Sequence, residues 1–63
     1  MYKIRWLFPN EQYFENFTSN VSEFLLLLQR SDYVTYEGIM YQVSAIELMI
    51  EEQMWLSILL DQA

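Results

Sequence analysis

Gly38 is the only glycine in this chain of 63 residues, and it lies between two runs rich in β-forming side chains. Tyr33-Val34-Thr35-Tyr36 precede the pair Glu37-Gly38, and Ile39-Met40-Tyr41-Gln42-Val43 follow it. A two-residue connection of this kind requires positive φ, which glycine adopts without steric penalty. The spacing predicts a β-hairpin, the strongest local signal in the chain. An isolated hairpin is barely stable in water, so a further strand or a covering helix must accompany it.

The flanking segments offer both. Tyr2 to Phe8 alternates, with Lys3 and Arg5 on one face and Tyr2, Ile4, Trp6 and Phe8 on the other. That is the pattern of a half-buried strand, stopped by Pro9-Asn10. Glu11 to Thr18 is aromatic-rich, with Tyr13, Phe14 and Phe17, and a helical turn or ordered loop is expected there. Ser19 to Arg30 predicts a helix. Ser19 and Ser22 are candidate N-caps, Glu23 sits where the helix dipole favours an anion, and Arg30 where it favours a cation. Val21, Phe24, Leu25 and Leu28 form its apolar face, and Leu26 and Leu27 would suit a helix covered on more than one side.

Residues 44–60 admit two readings. As strands, Ser44 to Ile50 prolongs the hairpin, Glu51-Glu52-Gln53 turns, and Met54 to Leu60 returns. As a helix, Ser44-Ala45-Ile46-Glu47 fits a capping box and the composition favours helical backbone. The strand reading is preferred because it supplies the extra strand and places a turn at the polar triplet. The expected architecture is therefore a single α+β domain over residues 1–63, with a strand, a helix and a three-stranded antiparallel meander packed on that helix. Helical residues 44–60 are the alternative.

Composition narrows the chemistry. Without cysteine or histidine the chain has no disulfide, thiol nucleophile, imidazole base or zinc-ligand set. One glycine rules out a glycine-rich phosphate loop, and the serines and threonines have no accompanying histidine or neighbouring lysine as base. Adjacent carboxylates such as Glu51-Glu52 are ordinarily solvated, so neither a metal nor another cofactor is expected. The protein reads as non-enzymatic. No stretch approaches the length of a membrane span or a signal peptide, which predicts a cytoplasmic protein without membrane attachment. Hydrophobic residues make up 54% of the chain. Area scaling allows a folded monomer of this mass a surface of roughly 4,300 Å². Such a small body cannot hide so much apolar surface, so a homo-oligomer or a docking surface is expected.

Charge is unevenly divided. Residues 1–30 are neutral, with Lys3, Arg5 and Arg30 balanced by Glu11, Glu15 and Glu23. Asp32, Glu37, Glu47, Glu51, Glu52 and Asp61 follow with no cation among them, so the whole net charge of -6 resides in the second half. Direct nucleic-acid binding is disfavoured by that sign. The opposite role is favoured. Carboxylates two residues apart on a strand are about 6.7 Å apart, a spacing near that of phosphates along a nucleic-acid strand. An acidic sheet can therefore occupy a basic groove and gain from steering and counterion release. The candidate partner-binding residues are Glu37, Glu47, Glu51, Glu52 and Asp61, with Tyr36 and Trp55 as aromatic anchors. The expected partner is a basic host protein, possessing for example a nucleic-acid-binding surface.

The run Tyr36-Glu37-Gly38-Ile39-Met40-Tyr41-Gln42-Val43, after a strand and a helix, resembles short proteins of phages and prophages of Gram-positive bacteria. Those carry a Y-x-G-x-x-Y-x-V hairpin followed by a terminal strand, and the resemblance spans residues 33–60. The apolar stretch around Leu25 to Leu28 departs from that pattern. The resemblance implies a viral or mobile-element origin, where small acidic proteins often inhibit host enzymes or defence nucleases. It carries over no functional residue. A structural or oligomerisation module, such as a phage assembly protein, is the alternative expectation.

Overall fold

A computed structural model describes all residues, 1–63. Alternation in the first residues produces strand β1, Tyr2–Leu7, whose Ile4 is completely buried. Pro9 then forces a turn. The Glu11 N–H donates to the Phe8 carbonyl at 3.1 Å, the Phe8 N–H donates to the Gln12 carbonyl at 2.8 Å, and Glu11 takes a left-handed conformation with φ 69°. Asn10 Oδ1 accepts the Gln12 N–H at 3.1 Å and braces the loop.

The chain returns as strand β2, Tyr13–Thr18, paired antiparallel to β1. This corrects the expectation of a helical turn or loop over Glu11 to Thr18. The strand was hidden because each of its faces mixes aromatic and polar residues. Tyr13, Glu15 and Phe17 share one face, and Phe14, Asn16 and Thr18 the other. Its fit is set across the strands rather than along the sequence: Glu15 meets Arg5, and the Trp6 indole N–H donates to Asn16 Oδ1 at 2.9 Å.

Helix α1 spans Val21–Arg30. Its N-cap is Asn20, not Ser19 or Ser22. Asn20 Oδ1 accepts the Glu23 N–H at 3.0 Å, while Asn20 Nδ2 donates to the Glu23 carboxylate at 3.2 Å, so cap and acid hold each other. Val21, Phe24, Leu25 and Leu28 face the core as the spacing predicts. Leu26 and Leu27 do not: they are 49% and 67% exposed, because the helix is covered on one side only.

Strand β3, Val34–Tyr36, and strand β4, Ile39–Met49, form the hairpin around Gly38. Both turn residues have positive φ, 50° at Glu37 and 80° at Gly38, the sense of turn that matches the twist of the strands. Strand β5, Trp55–Gln62, pairs antiparallel to β4 and parallel to β1. Residues 44–60 thus form extended strands about a turn at 50–54, and the helical alternative is not adopted. The register shifts between Val43 and Ala45, where Ser44 is extra and its hydroxyl donates to the Leu59 carbonyl at 3.1 Å. This bulge explains the ambiguity of the segment. Apolar residues facing the helix side are odd-numbered before it (Ile39, Tyr41, Val43) and even-numbered after it (Ile46, Leu48), which breaks the strand period.

The result is α+β in broad terms: one helix and one five-stranded mixed sheet in the order β2-β1-β5-β4-β3. The antiparallel run β3-β4-β5 is extended by β1, parallel to β5, and by the unexpected β2, so all five strands make a single sheet. β5 at its centre is the most enclosed strand, with Trp55, Leu56, Ser57, Ile58 and Leu60 all buried. Ile4 and Ile58 are fully buried, and Phe8, Leu28, Tyr41, Leu56 and Leu60 complete the core beneath α1. No helix is long and apolar enough to cross a membrane.

Candidate functional site

The face of the sheet opposite α1 has no covering element, yet Trp55 and Ser57 are buried on it. Two long cations achieve this. Lys3 and Arg5, two residues apart on β1, project to that face and lie over the Trp55 ring at 4.2 and 4.6 Å from its centroid. Arg5 also lies 4.8 Å from the Tyr13 ring. Glu15 on β2 holds both charges, with the Arg5 guanidinium at 2.7 Å and the Lys3 ammonium at 3.8 Å. The aliphatic stems cover the apolar surface while the charged heads stay solvated and paired.

This stack forms one wall of a broad cleft of about 670 Å³, to which Lys3, Phe17, Glu51, Glu52, Met54 and Trp55 contribute. The Trp55 indole N–H donates to the Glu51 carboxylate at 2.5 Å, which anchors the β4–β5 turn. Three of the sequence candidates, Glu51, Glu52 and Trp55, therefore come together here. Trp55 presents little free surface, since its ring is already stacked and it is only 9% exposed.

The other candidates lie elsewhere. Glu47 and Asp61 point to the same open face, opposite Ser57 and Gln42 respectively. The rise along β5 puts them about 13 Å apart. Glu37 occupies the β3–β4 turn at the far end of the sheet. Tyr36, beside it, faces the helix side and packs against Phe8 and Phe14, with ring centroids 4.9 and 5.4 Å away. The acidic residues thus run along β4 and β5 from one end to the other rather than converging, and no three carboxylates come close enough to form a metal-binding group.

Reasoning from the sequence missed Lys3, Arg5 and Glu15 as an organised unit. The signal available was the pair of cations two residues apart on a strand otherwise apolar on its opposite face. Their partners, Trp55 and Glu15, reach them only through the β1–β5 and β1–β2 pairings.

A second, smaller cleft of about 180 Å³ opens between the β1–β2 loop and the β3–β4 turn. Both lie at the same end of the sheet, because β1 and β5 run parallel and β4 antiparallel to them. Phe8, Tyr13, Tyr36 and Tyr41 line it together with Glu37. No family model, curated protein or solved structure matches the chain, so these clefts and the charge pattern are what any functional reading must rest on.

Proposed function

We propose that this is a small acidic, non-enzymatic binding protein that docks on a basic surface of another protein and modulates or inhibits it. One observation carries the reading. Asp32, Glu37, Glu47, Glu51, Glu52 and Asp61 are all exposed, and none forms an ion pair within the chain. The intramolecular ion pairs instead join Lys3 and Arg5 to Glu15, all three in the first half of the sequence, and leave one net positive charge in that cluster. The carboxylates along β4, β5 and their turn remain unpaired and outnumber the two cations of the same face, so they can steer a basic partner. The partner is a basic protein of the cell in which the chain is expressed, a bacterial host if the chain is phage or mobile-element encoded; a nucleic-acid-binding or defence enzyme is one such target.

Affinity capture from host lysate at low and high salt tests this. A basic protein should be retained at low salt and lost steeply as ionic strength rises. Simultaneous reversal of Glu47, Glu52 and Asp61 to lysine, which spares the Glu51–Trp55 hydrogen bond, should abolish capture while the circular dichroism spectrum is kept. Retention by the reversed variant would show that the acidic surface is not the binding surface.

A structural or oligomerisation module is the second reading, favoured by a separate observation. The accessible surface is 4848 Å², against roughly 4,300 Å² for a monomer of this mass. Tyr13, Phe17, Leu27, Leu48 and Ile50 are among the exposed large apolar residues. Sedimentation over a range of concentrations decides between the two: this reading requires self-association that persists at high salt.

A further inference from the structure

Strand β4 is much longer than the outer strand beside it. β3 pairs only with Ile39, Met40 and Tyr41, and β5 lies on the other side, so the outer edge of β4 from Gln42 to Met49 has no neighbouring strand. Residues that share a face of a strand also share an edge. The Met40 carbonyl accepts the Ala63 N–H just past β5, so the open-face residues of β4 aim their backbone groups toward β5. Ile46 and Leu48, on the helix side, aim theirs outward. No turn or side chain of the protein pairs with them there.

The side chains at this edge are free as well. Ile46 is 41% exposed, Leu48 53% and Ile50 77%, so α1 leaves this corner of the sheet uncovered. Open edges are ordinarily blunted by lysine, proline or a bulge. The bulge at Ser44 ends the edge on one side, but residues 45–50 contain no lysine, arginine, proline or glycine. Their one charge, Glu47, projects on the open face. The other outer strand, β2, is less accessible, because the sheet curls until Phe14 of β2 packs on Tyr36 of β3.

The run Ile46-Glu47-Leu48-Met49-Ile50 is complementary to itself in the antiparallel sense. A twofold axis at Leu48 sets the two Leu48 residues opposite each other, with Ile46 opposite Ile50 and Glu47 opposite Met49 of the other copy. Every pair on the helix side is then apolar, and no two carboxylates are directly opposed. An axis at Glu47 would oppose like charges, which is destabilising, and one at Ile46 would set Leu48 against the bulged Ser44. Area points to the same occupant. The surface of 4848 Å² exceeds that of a monomer of this mass by about 550 Å². Two copies carry about 1,100 Å² of such excess, enough for a specific interface, which needs about 1,000 Å².

We propose that a second copy of this chain occupies the edge, with β4 paired antiparallel to β4 about a twofold axis at Leu48, so that the two sheets become one. This names the interface of the oligomerisation reading above and rests on that reading.

Sedimentation and single-cysteine crosslinking of the full chain test it, since the protein has no cysteine of its own. Opposed Leu48 residues would have Cα atoms about 5.5 Å apart, within disulfide reach, whereas the two Ile46 residues would be roughly 14 Å apart. Mild oxidation should therefore crosslink Leu48→Cys into a dimer and leave Ile46→Cys uncrosslinked. Leu48→Lys, at an exposed position, should keep the circular dichroism spectrum and weaken the dimer more than about thirtyfold. In the unaltered chain, the Ile46 and Leu48 amides should be protected from hydrogen exchange at high concentration and lose that protection on dilution, a readout that needs no variant. Each copy carries a charge of -6, so added salt should strengthen the pairing, the reverse of its effect on acidic docking. A dimer that survives Leu48→Lys, or that crosslinks through Ile46→Cys and not Leu48→Cys, would overturn this interface and leave the oligomerisation reading standing. A chain that stays monomeric up to millimolar concentration would overturn both.

Discussion

The two faces of the central strand are closed by different physics. On the helix side, Leu56, Ile58 and Leu60 pack against Ile4, Phe8 and Leu28 in a dry core. On the open side, Trp55 is covered by the stems and charged heads of Lys3 and Arg5, with Glu15 as counter-ion. A chain with one ten-residue helix cannot cover both faces with secondary structure. Long amphipathic side chains complete the burial at the second face, and the solvated charge is retained there. The first closure is volume-sensitive and indifferent to salt, whereas the second is partly electrostatic and can be screened.

Substitutions on the two faces should separate these mechanisms. The largest effect is expected from Ile58→Ala, which opens a cavity at a fully buried site. It should lower stability by about 4 kcal/mol in urea denaturation, a loss unchanged by added salt and large enough to unfold a chain of this size. Trp55→Ala should cost about 3 kcal/mol and release the Glu51 carboxylate, while Trp55→Phe should recover over half of that by keeping a ring beneath the cations. If the phenylalanine variant were as damaged as the alanine one, stacking would not be what closes the open face. Arg5→Ala should cost about 1–2 kcal/mol through lost packing and lost pairing. Part of this cost should vanish at 1 M sodium chloride, where the screening length falls to about 3 Å. A loss equal at both salt levels would assign Arg5 a purely apolar role.

The smallest expected effects are gains. Glu11 and Glu37 occupy left-handed conformations at the two hairpin tips. Relief of that strain, about 1–2 kcal/mol, is offset by roughly 0.5–1 kcal/mol of added backbone entropy for glycine. Glu11→Gly and Glu37→Gly should therefore each raise stability by about 0.5 kcal/mol. A loss of stability at either position would instead show that the glutamate side chain makes a stabilising contact at that tip.

Several elements were legible before the fold was known, for local reasons. The Glu37-Gly38 turn follows from the φ requirement of a two-residue hairpin, β1 from strict alternation, and the inner face of α1 from its 3-4 spacing. β2 was not legible, because its identity rests on Glu15 and Asn16 finding Arg5 and Trp6 across the sheet. The cap at Asn20 was displaced by one residue from Ser19 because Asn20 is where Glu23 can be reached in both directions. At the candidate sites the carboxylates of the second half were legible as a charge count. Their distribution was not, because alternation tells which residues share a face and says nothing of which strands are neighbours.

Composition and order along the chain determined by themselves that this protein has no thiol or imidazole chemistry, that its excess charge lies beyond residue 31, and that it hinges on a hairpin at Gly38. Those properties depend on residue identity and on contacts a few positions apart. Only the tertiary structure decided that the first and last strands lie side by side in parallel, that two cations from one meet the tryptophan of the other, and that the two hairpin tips enclose an aromatic cleft. Each of these joins residues far apart in the chain. They become neighbours when burial of Ile4 and Ile58 brings β1 against β5 and outweighs the entropy of closing so long a loop.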